Sequence, residues 1–307
     1  MRLKIRYMLI IVVIVLALGV TSLFIDDRDS FRSSLPPVSD SPTAERNYKF
    51  KLSPPDPSRT TEETQLLMNK ELAERAYQLF AEKNLSIVAI GDSLTQGVGD
   101  ETEQGGYVGI LDRLLNKEQP VVSFTNLGKR GQRSDQLLDR LQETEVTAAL
   151  SDADFIIISI GANDLMKVAR ENMTNLHMQV FVEERAHYAQ RLQQIFHTIR
   201  SINPKAHIYL LGIYNPFEKF FPHIKELSMI IDDYNHTGMT IVKRTDNSSF
   251  IPILDLFQNS TIDLLASDYF HPNYRGYVRI AGRVLEYLLL TGGMNIEEPE
   301  ENPEETD

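Results

Sequence analysis

Four short strings in the chain hold residue types that can carry acyl transfer. The first is Gly91-Asp92-Ser93-Leu94-Thr95-Gln96-Gly97. A serine hydroxyl is a weak nucleophile until a neighbouring base takes its proton. If this serine follows a strand and opens a helix, its hydroxyl stands at a sheet edge. Its backbone N–H then joins the unpaired donors of the helix start. The same string also suits a turn in which Asp92 or Ser93 merely caps a helix. It is not the Gly-x-Ser-x-Gly elbow, because Thr95 stands where that pattern needs glycine. The second string is Asp268-Tyr269-Phe270-His271. That spacing can set a carboxylate against one imidazole nitrogen and leave the other free. Asp255 is the rival carboxylate, since it follows another predicted strand. The third string, Asn126 to Ser134, holds Gly128 and Gly131, and glycine lets backbone approach a ligand closely. The fourth, Gly161-Ala162-Asn163-Asp164, offers an amide N–H donor, though an Asx turn or helix cap explains it equally well.

Other chemistries find less support. The chain has no cysteine, which excludes disulfides, thiolate metal sites, a thiol nucleophile and a lipid-modified N-terminal Cys. His177, His187 and His197 are ten apart and do not share a helical face, and no His-Glu-x-x-His string occurs. Of the seven histidines, His271 alone combines a near carboxylate with a loop before the final helix. The net charge of −12 argues against a nucleic-acid partner, which would demand clustered Lys and Arg.

These strings do chemistry only if the fold brings them together. Helical periodicity runs over Glu62–Glu82, and then strands and helices alternate. Strands are expected at Ser86–Ile90, Val121–Thr125, Phe155–Ile160, His207–Leu211 and Phe250–Leu254. Helices are expected at Tyr107–Leu115, Ser134–Leu150, Phe181–Ile202, Ile224–Arg244 and Tyr277–Leu290, with Ser134 as an N-cap. Phe155–Ile160 is apolar but for Ser159 and must be covered on both faces. Five short apolar strands separated by helices predict an α/β fold, a parallel sheet between two helical layers. Such a sheet binds ligands at the carboxyl ends of its strands, where all four strings fall.

The ends of the chain differ from its middle. Arg2, Lys4 and Arg6 precede an uncharged apolar run, Met8–Ile25, which Asp26 and Asp27 close. Its length is near the lower limit of a bilayer span. Residues 1–25 are therefore expected to be a transmembrane anchor with the basic flank in the cytoplasm. Ala17-Leu18-Gly19 leaves open a cleaved signal peptide and a secreted product. Residues 26–61 read as a Pro/Ser-rich linker, 62–292 as the folded domain, and 293–307 as an acidic disordered tail.

Taken together, the four strings resemble the blocks of the GDSL family of lipases and acylhydrolases, the SGNH hydrolases. Those blocks read here Gly91–Leu94, Gly131, Gly161–Asp164 and Asp268–His271, in the family's order, and the resemblance spans roughly Leu85–Leu290. It implies a flavodoxin-like three-layer α/β/α sandwich with a five-stranded parallel sheet. It also implies Ser93 as nucleophile, His271 as base and Asp268 as its orienting carboxylate. The oxyanion hole would be the backbone N–H groups of Ser93 and Gly131 with the amide of Asn163. Gly131 matches better than Gly128, because the family's donor glycine sits just before a polar residue opening a helix. Asp92 and Asp164 are expected to shape loops. No metal or organic cofactor is implied, and the substrate would be an acyl ester of a small molecule, lipid or polysaccharide. A lysophospholipase-like lipase and a carbohydrate or cell-wall O-acetyl esterase are both within the family's range. A non-catalytic binder of acylated ligands is the reading from another class. Tyr214–Pro222 and the segment holding Leu165, Met166, Met173, Leu176 and Met178 are candidates for an acyl pocket or lid, or for plain packing under a loop.

Overall fold

The computed structural model describes residues 61–292, apart from 173–177, 219, 222 and 259. The expected anchor, the linker up to residue 60 and the acidic tail lie outside the described residues. Among the described residues no helix is long and apolar enough to cross a membrane.

The elements run in the order α1 (Thr61–Phe80), β1 (Leu85–Gly91), α2 (Ser93–Gln96), α3 (Gly106–Leu115), β2 (Val122–Gly128), α4 (Ser134–Arg140), α5 (Thr144–Ser151), β3 (Phe155–Ser159), α6 (Ala162–Glu171), α7 (Met178–Ile202), β4 (His207–Leu211), α8 (Lys225–Lys243), β5 (Ser248–Ile251) and α9 (Tyr274–Gly292). The five strands are parallel, in the order β2-β1-β3-β4-β5. This is the expected α/β sandwich.

The sheet's pleat divides the core in two. Val88, Ile90, Ile156, Ile158, Ile208 and Leu210 point to one side, where α4, α5, α7 and α8 cover them. Ile87, Ala89, Ile157, Tyr209, Leu211 and Ile251 point to the other, under α1, α3 and α9. All five residues of β3 and of β4 are buried, and Phe155–Ile158 and Ile208–Leu211 within them read as unbroken apolar runs rather than alternating ones.

Three departures from the expected elements bear on the site. The second strand continues through Gly128, so Asn126, Leu127 and Gly128 belong to the sheet and not to the loop. The helix expected over 134–150 is two helices separated at Leu141–Glu143. Leu137, Leu141, Val146 and Leu150 are all buried, which kept the apolar pattern continuous across the break. Finally, α2 and α6 were missing from the expected elements, although a helix start was allowed for at both strings.

The chain leaves β1 to form β2 on one side, then returns to form β3 on the other. That reversal opens a crevice at the carboxyl ends of β1 and β3, where ligands bind in open α/β sheets. Ser93 follows β1 and Asn163 follows β3.

Candidate active site

Ser93 is the first residue of α2 and only 6% exposed. Asp92 caps this helix, its Oδ1 accepting from the Leu94 N–H at 3.0 Å and from the Ser159 hydroxyl at 2.9 Å. Ser159 also meets Thr95 Oγ1 at 2.7 Å, and Thr95 meets the Tyr107 hydroxyl at 3.0 Å. A buried polar chain therefore backs the serine and ties β3 and α3 to the α2 turn. Burial pushes the Asp92 carboxyl up to about 6, against the pull of the Leu94 N–H and the Ser159 hydroxyl.

His271 lies against Ser93 although the two are far apart in sequence. Its Nε2 is 2.9 Å from Ser93 Oγ, and its Nδ1 is 2.6 Å from Asp268 Oδ2. The other carboxylate oxygen, Oδ1, accepts from the backbone N–H groups of Phe270 and His271, both at 3.0 Å. Tyr269, between Asp268 and Phe270, takes φ +58°, a left-handed conformation that is costly for a bulky residue. Burial raises the Asp268 carboxyl, but the bonds from His271 and the two N–H groups outweigh it and hold the group down to about 2. Asp268 is therefore charged at neutral pH and holds the Nδ1–H tautomer. That leaves the Nε2 lone pair facing the serine hydroxyl.

Two further contacts fix this loop. Tyr214, just beyond β4, donates its hydroxyl to the Phe270 carbonyl at 2.6 Å. Behind the imidazole, Gly99 (φ +99°) leaves no room for a side chain: a Cβ there would stand 2.5 Å from the Pro272 carbonyl and 2.8 Å from His271 Cβ. Asp255, the rival carboxylate, instead pairs with Arg283 at 2.6 Å on an exposed edge of the domain.

The two loop glycines separate clearly. A Cβ on Gly128 would lie 2.2 Å from the Gln96 nitrogen, so that glycine serves close packing of α2 against β2. Gly131 is exposed at φ +77° with nothing within 4 Å of where a Cβ would stand, so its surroundings are open. Asn163, the second residue of α6, donates one amide hydrogen to the Gln132 carbonyl at 3.0 Å. That bond orients the amide, which carries a second hydrogen. Ser134 is not the N-cap but the first residue of α4. Its N–H donates to Asp164 Oδ2 at 3.0 Å and its hydroxyl to Oδ1 at 2.6 Å.

An apolar cleft opens beside Ser93 and His271. Ile160, Leu165, Met166, Phe181, Phe217 and Ile230 line its walls, and Tyr214 lines it too. Both segments singled out for an acyl pocket thus contribute to it, but unevenly. Phe220 is 40% exposed and meets Tyr269 edge-on at 5.3 Å outside the cleft. Phe221 and Met178 pack against the core, and Met173 and Leu176 lie outside the described residues.

The model of the GDSL-like Lipase/Acylhydrolase family matches residues 89–279, which include every residue of this site. The chain belongs to that family. A Bacillus subtilis relative, the uncharacterized protein YpmR, is 33% identical over 233 residues, 75% of this chain and 91% of the relative. The spore germination lipase LipC of Bacillus licheniformis is 27% identical over 201 residues, 63% of this chain and 91% of that protein. Among solved structures, the lipase Lip_vut3 from goat rumen metagenome superposes with a TM-score of 0.58 at 26% identity, covering 65% of this chain and 95% of that one. This GDSL-family protein is thus a carboxylic ester hydrolase.

Sequence reasoning had assigned nothing to Ser159 or Gly99, nor to Arg191 of α7, which joins the Ser134–Asp164 pair, and had named Tyr214 only as a candidate for the acyl pocket or lid, not as a support for the His271 loop. These residues act through three-dimensional neighbours and stand in no motif. Only Tyr214 carried a signal, as an aromatic at the exit of a strand.

Proposed function

We propose that this ester hydrolase works through Ser93, His271 and Asp268, and that its substrates carry an extended apolar acyl chain. The continuous hydrogen-bonded chain from Asp268 to His271 to Ser93, ending at the wall of an apolar cleft, carries this reading. In it, Ser93 Oγ attacks the ester carbonyl while His271 Nε2 takes its proton. The carbonyl oxygen becomes an oxyanion, met by the N–H groups of Ser93 and Gly131 and the free amide hydrogen of Asn163. Collapse expels the alcohol, which leaves with the proton from His271. Water then enters by the same steps in reverse order and releases the acid.

The cleft supports a lipase-like or lysophospholipase-like reading over an O-acetyl esterase, because an acetyl group would leave those apolar walls without a partner. A series of p-nitrophenyl esters from acetyl to palmitoyl tests this. The proposal expects kcat/KM to rise by at least about tenfold from acetyl to the middle of the series, about two methylenes' worth of buried surface. A preference for acetyl would support the deacetylase and reject the lipid reading.

We also propose that the enzyme acts outside the cytoplasmic membrane, tethered by residues 1–25 or released after cleavage. The basic flank, apolar run and acidic stop support this. Externally added protease should degrade the hydrolase domain, or culture medium should contain it. Protection of the protein inside intact cells would reject the placement.

A further inference from the structure

Two residues of α7, Arg191 and Glu184, stand outside every sequence motif, and Arg191 bonds to residues inside two of them. Asp164 is 1% exposed, so its carboxylate needs partners to compensate for lost water. It finds them in the N–H and hydroxyl of Ser134 and in Arg191 Nη2 at 3.1 Å. Arg191 also donates from Nε to Ser134 Oγ at 2.6 Å, and Glu184, one helical stretch earlier on α7, accepts from its Nη2. The guanidinium therefore touches both members of a pair that joins the start of α4 to the start of α6. Three residues before Ser134 is Gly131, and one residue before Asp164 is Asn163. A second tie, from the Asn163 amide to the Gln132 carbonyl, runs beside the first.

We infer that Arg191, held by Glu184, is a positioning residue for the oxyanion hole: it locks the Ser134–Asp164 pair and so fixes the Gly131 N–H and the Asn163 amide relative to each other. The inference rests on the oxyanion roles proposed above for Gly131 and Asn163. Its chemical logic is geometric. Donors stabilise an oxyanion only when set in advance near 3 Å from where it forms, and a small misplacement costs rate more than binding. A planar fork bonding Ser134, Asp164 and Glu184 at once sets such a spacing. A lysine ammonium in its place has no fork to do so.

A double-mutant cycle with p-nitrophenyl butyrate tests this. Arg191→Met should lower kcat about 10- to 100-fold, with KM changed less than about threefold. Arg191→Lys should recover only part of the loss. In an Asn163→Ala background, where the hole is already incomplete, Arg191→Met should cost less than about threefold more. An equal loss in both backgrounds, or a rise in KM with kcat kept, would overturn the inference. So would full activity of Arg191→Met. If Arg191→Met does not fold, Glu184→Gln and Arg191→Lys carry the same cycle with smaller steps. Should Asn163→Ala alone leave kcat untouched, the oxyanion assignment itself fails, and this inference with it. Should Asn163→Ala slow the enzyme and Arg191→Met not, the inference alone fails.

Discussion

At the residue scale, the site is built from short polar bonds made in a largely apolar setting. Asp268 is the test case for assignment. Two aspartates competed on sequence to orient His271, and they differ sharply in three dimensions. Asp268 bonds the imidazole and two backbone N–H groups, whereas Asp255 makes an exposed ion pair with Arg283. Asp268→Asn should therefore lower kcat about 10²- to 10⁴-fold by spoiling the tautomer. Asp255→Asn should stay within about twofold, as exposed pairs contribute little. Parallel turnover assays of the two variants check this. Asp92 gives a prediction of opposite sign on stability. Its carboxyl, raised to about 6 in the fold, holds a proton that the unfolded chain has lost. From its ordinary value of 3.8 up to about 6, rising pH therefore destabilises the fold through this group, and above 6 the effect is constant. Asp268, lowered to about 2, acts oppositely, stabilising above its ordinary value and losing that as pH falls toward 2. Urea unfolding of Asp92→Asn against the natural chain at pH 4 and 7 should show the asparagine variant gaining about 2–4 kcal/mol relative to it over that range.

At the scale of elements, strand cores were legible and edges were not. Phe155–Ser159 and His207–Leu211 are fully buried runs, which only a covered parallel sheet produces. By contrast, β2 ran three residues further than its apolar stretch, because Asn126, Leu127 and Gly128 pair through their backbones with Ala89, Ile90 and Gly91 of β1, which side-chain hydropathy does not reveal. The helix α6 was hidden in a string that reads equally well as an Asx turn. The four motif strings were legible because each is a local pattern beside a strand end. Their supports were not, because Gly99, Ser159, Tyr214 and Arg191 gain meaning only from partners distant in sequence. Gly99 gives the prediction belonging to this scale. The loop between α2 and α3 lies directly behind His271, so Gly99→Val should force the imidazole away from Ser93. Esterase activity should drop at least about tenfold while the domain stays folded by circular dichroism, the signature of misplacement without collapse.

At the scale of the whole molecule, topology does what no single motif can. Reversal of strand order between β2 and β3 sets Ser93 and Asn163 on either side of one crevice. The last helix carries its preceding loop back so that His271 arrives from the far end of the chain. Two apolar layers, one on each face of the sheet, keep that arrangement fixed. The order of the blocks along the chain foretold this assembly, since each falls after a different strand. The central claim is that Ser93 is the nucleophile, and trapping it covalently tests this most directly. The folded protein is treated with a fluorophosphonate and its peptides are read by mass spectrometry. The account predicts a single adduct on Ser93, absent from His271→Ala, where no base remains to take the serine proton. Labelling of another residue, or none at all in active protein, would contradict it.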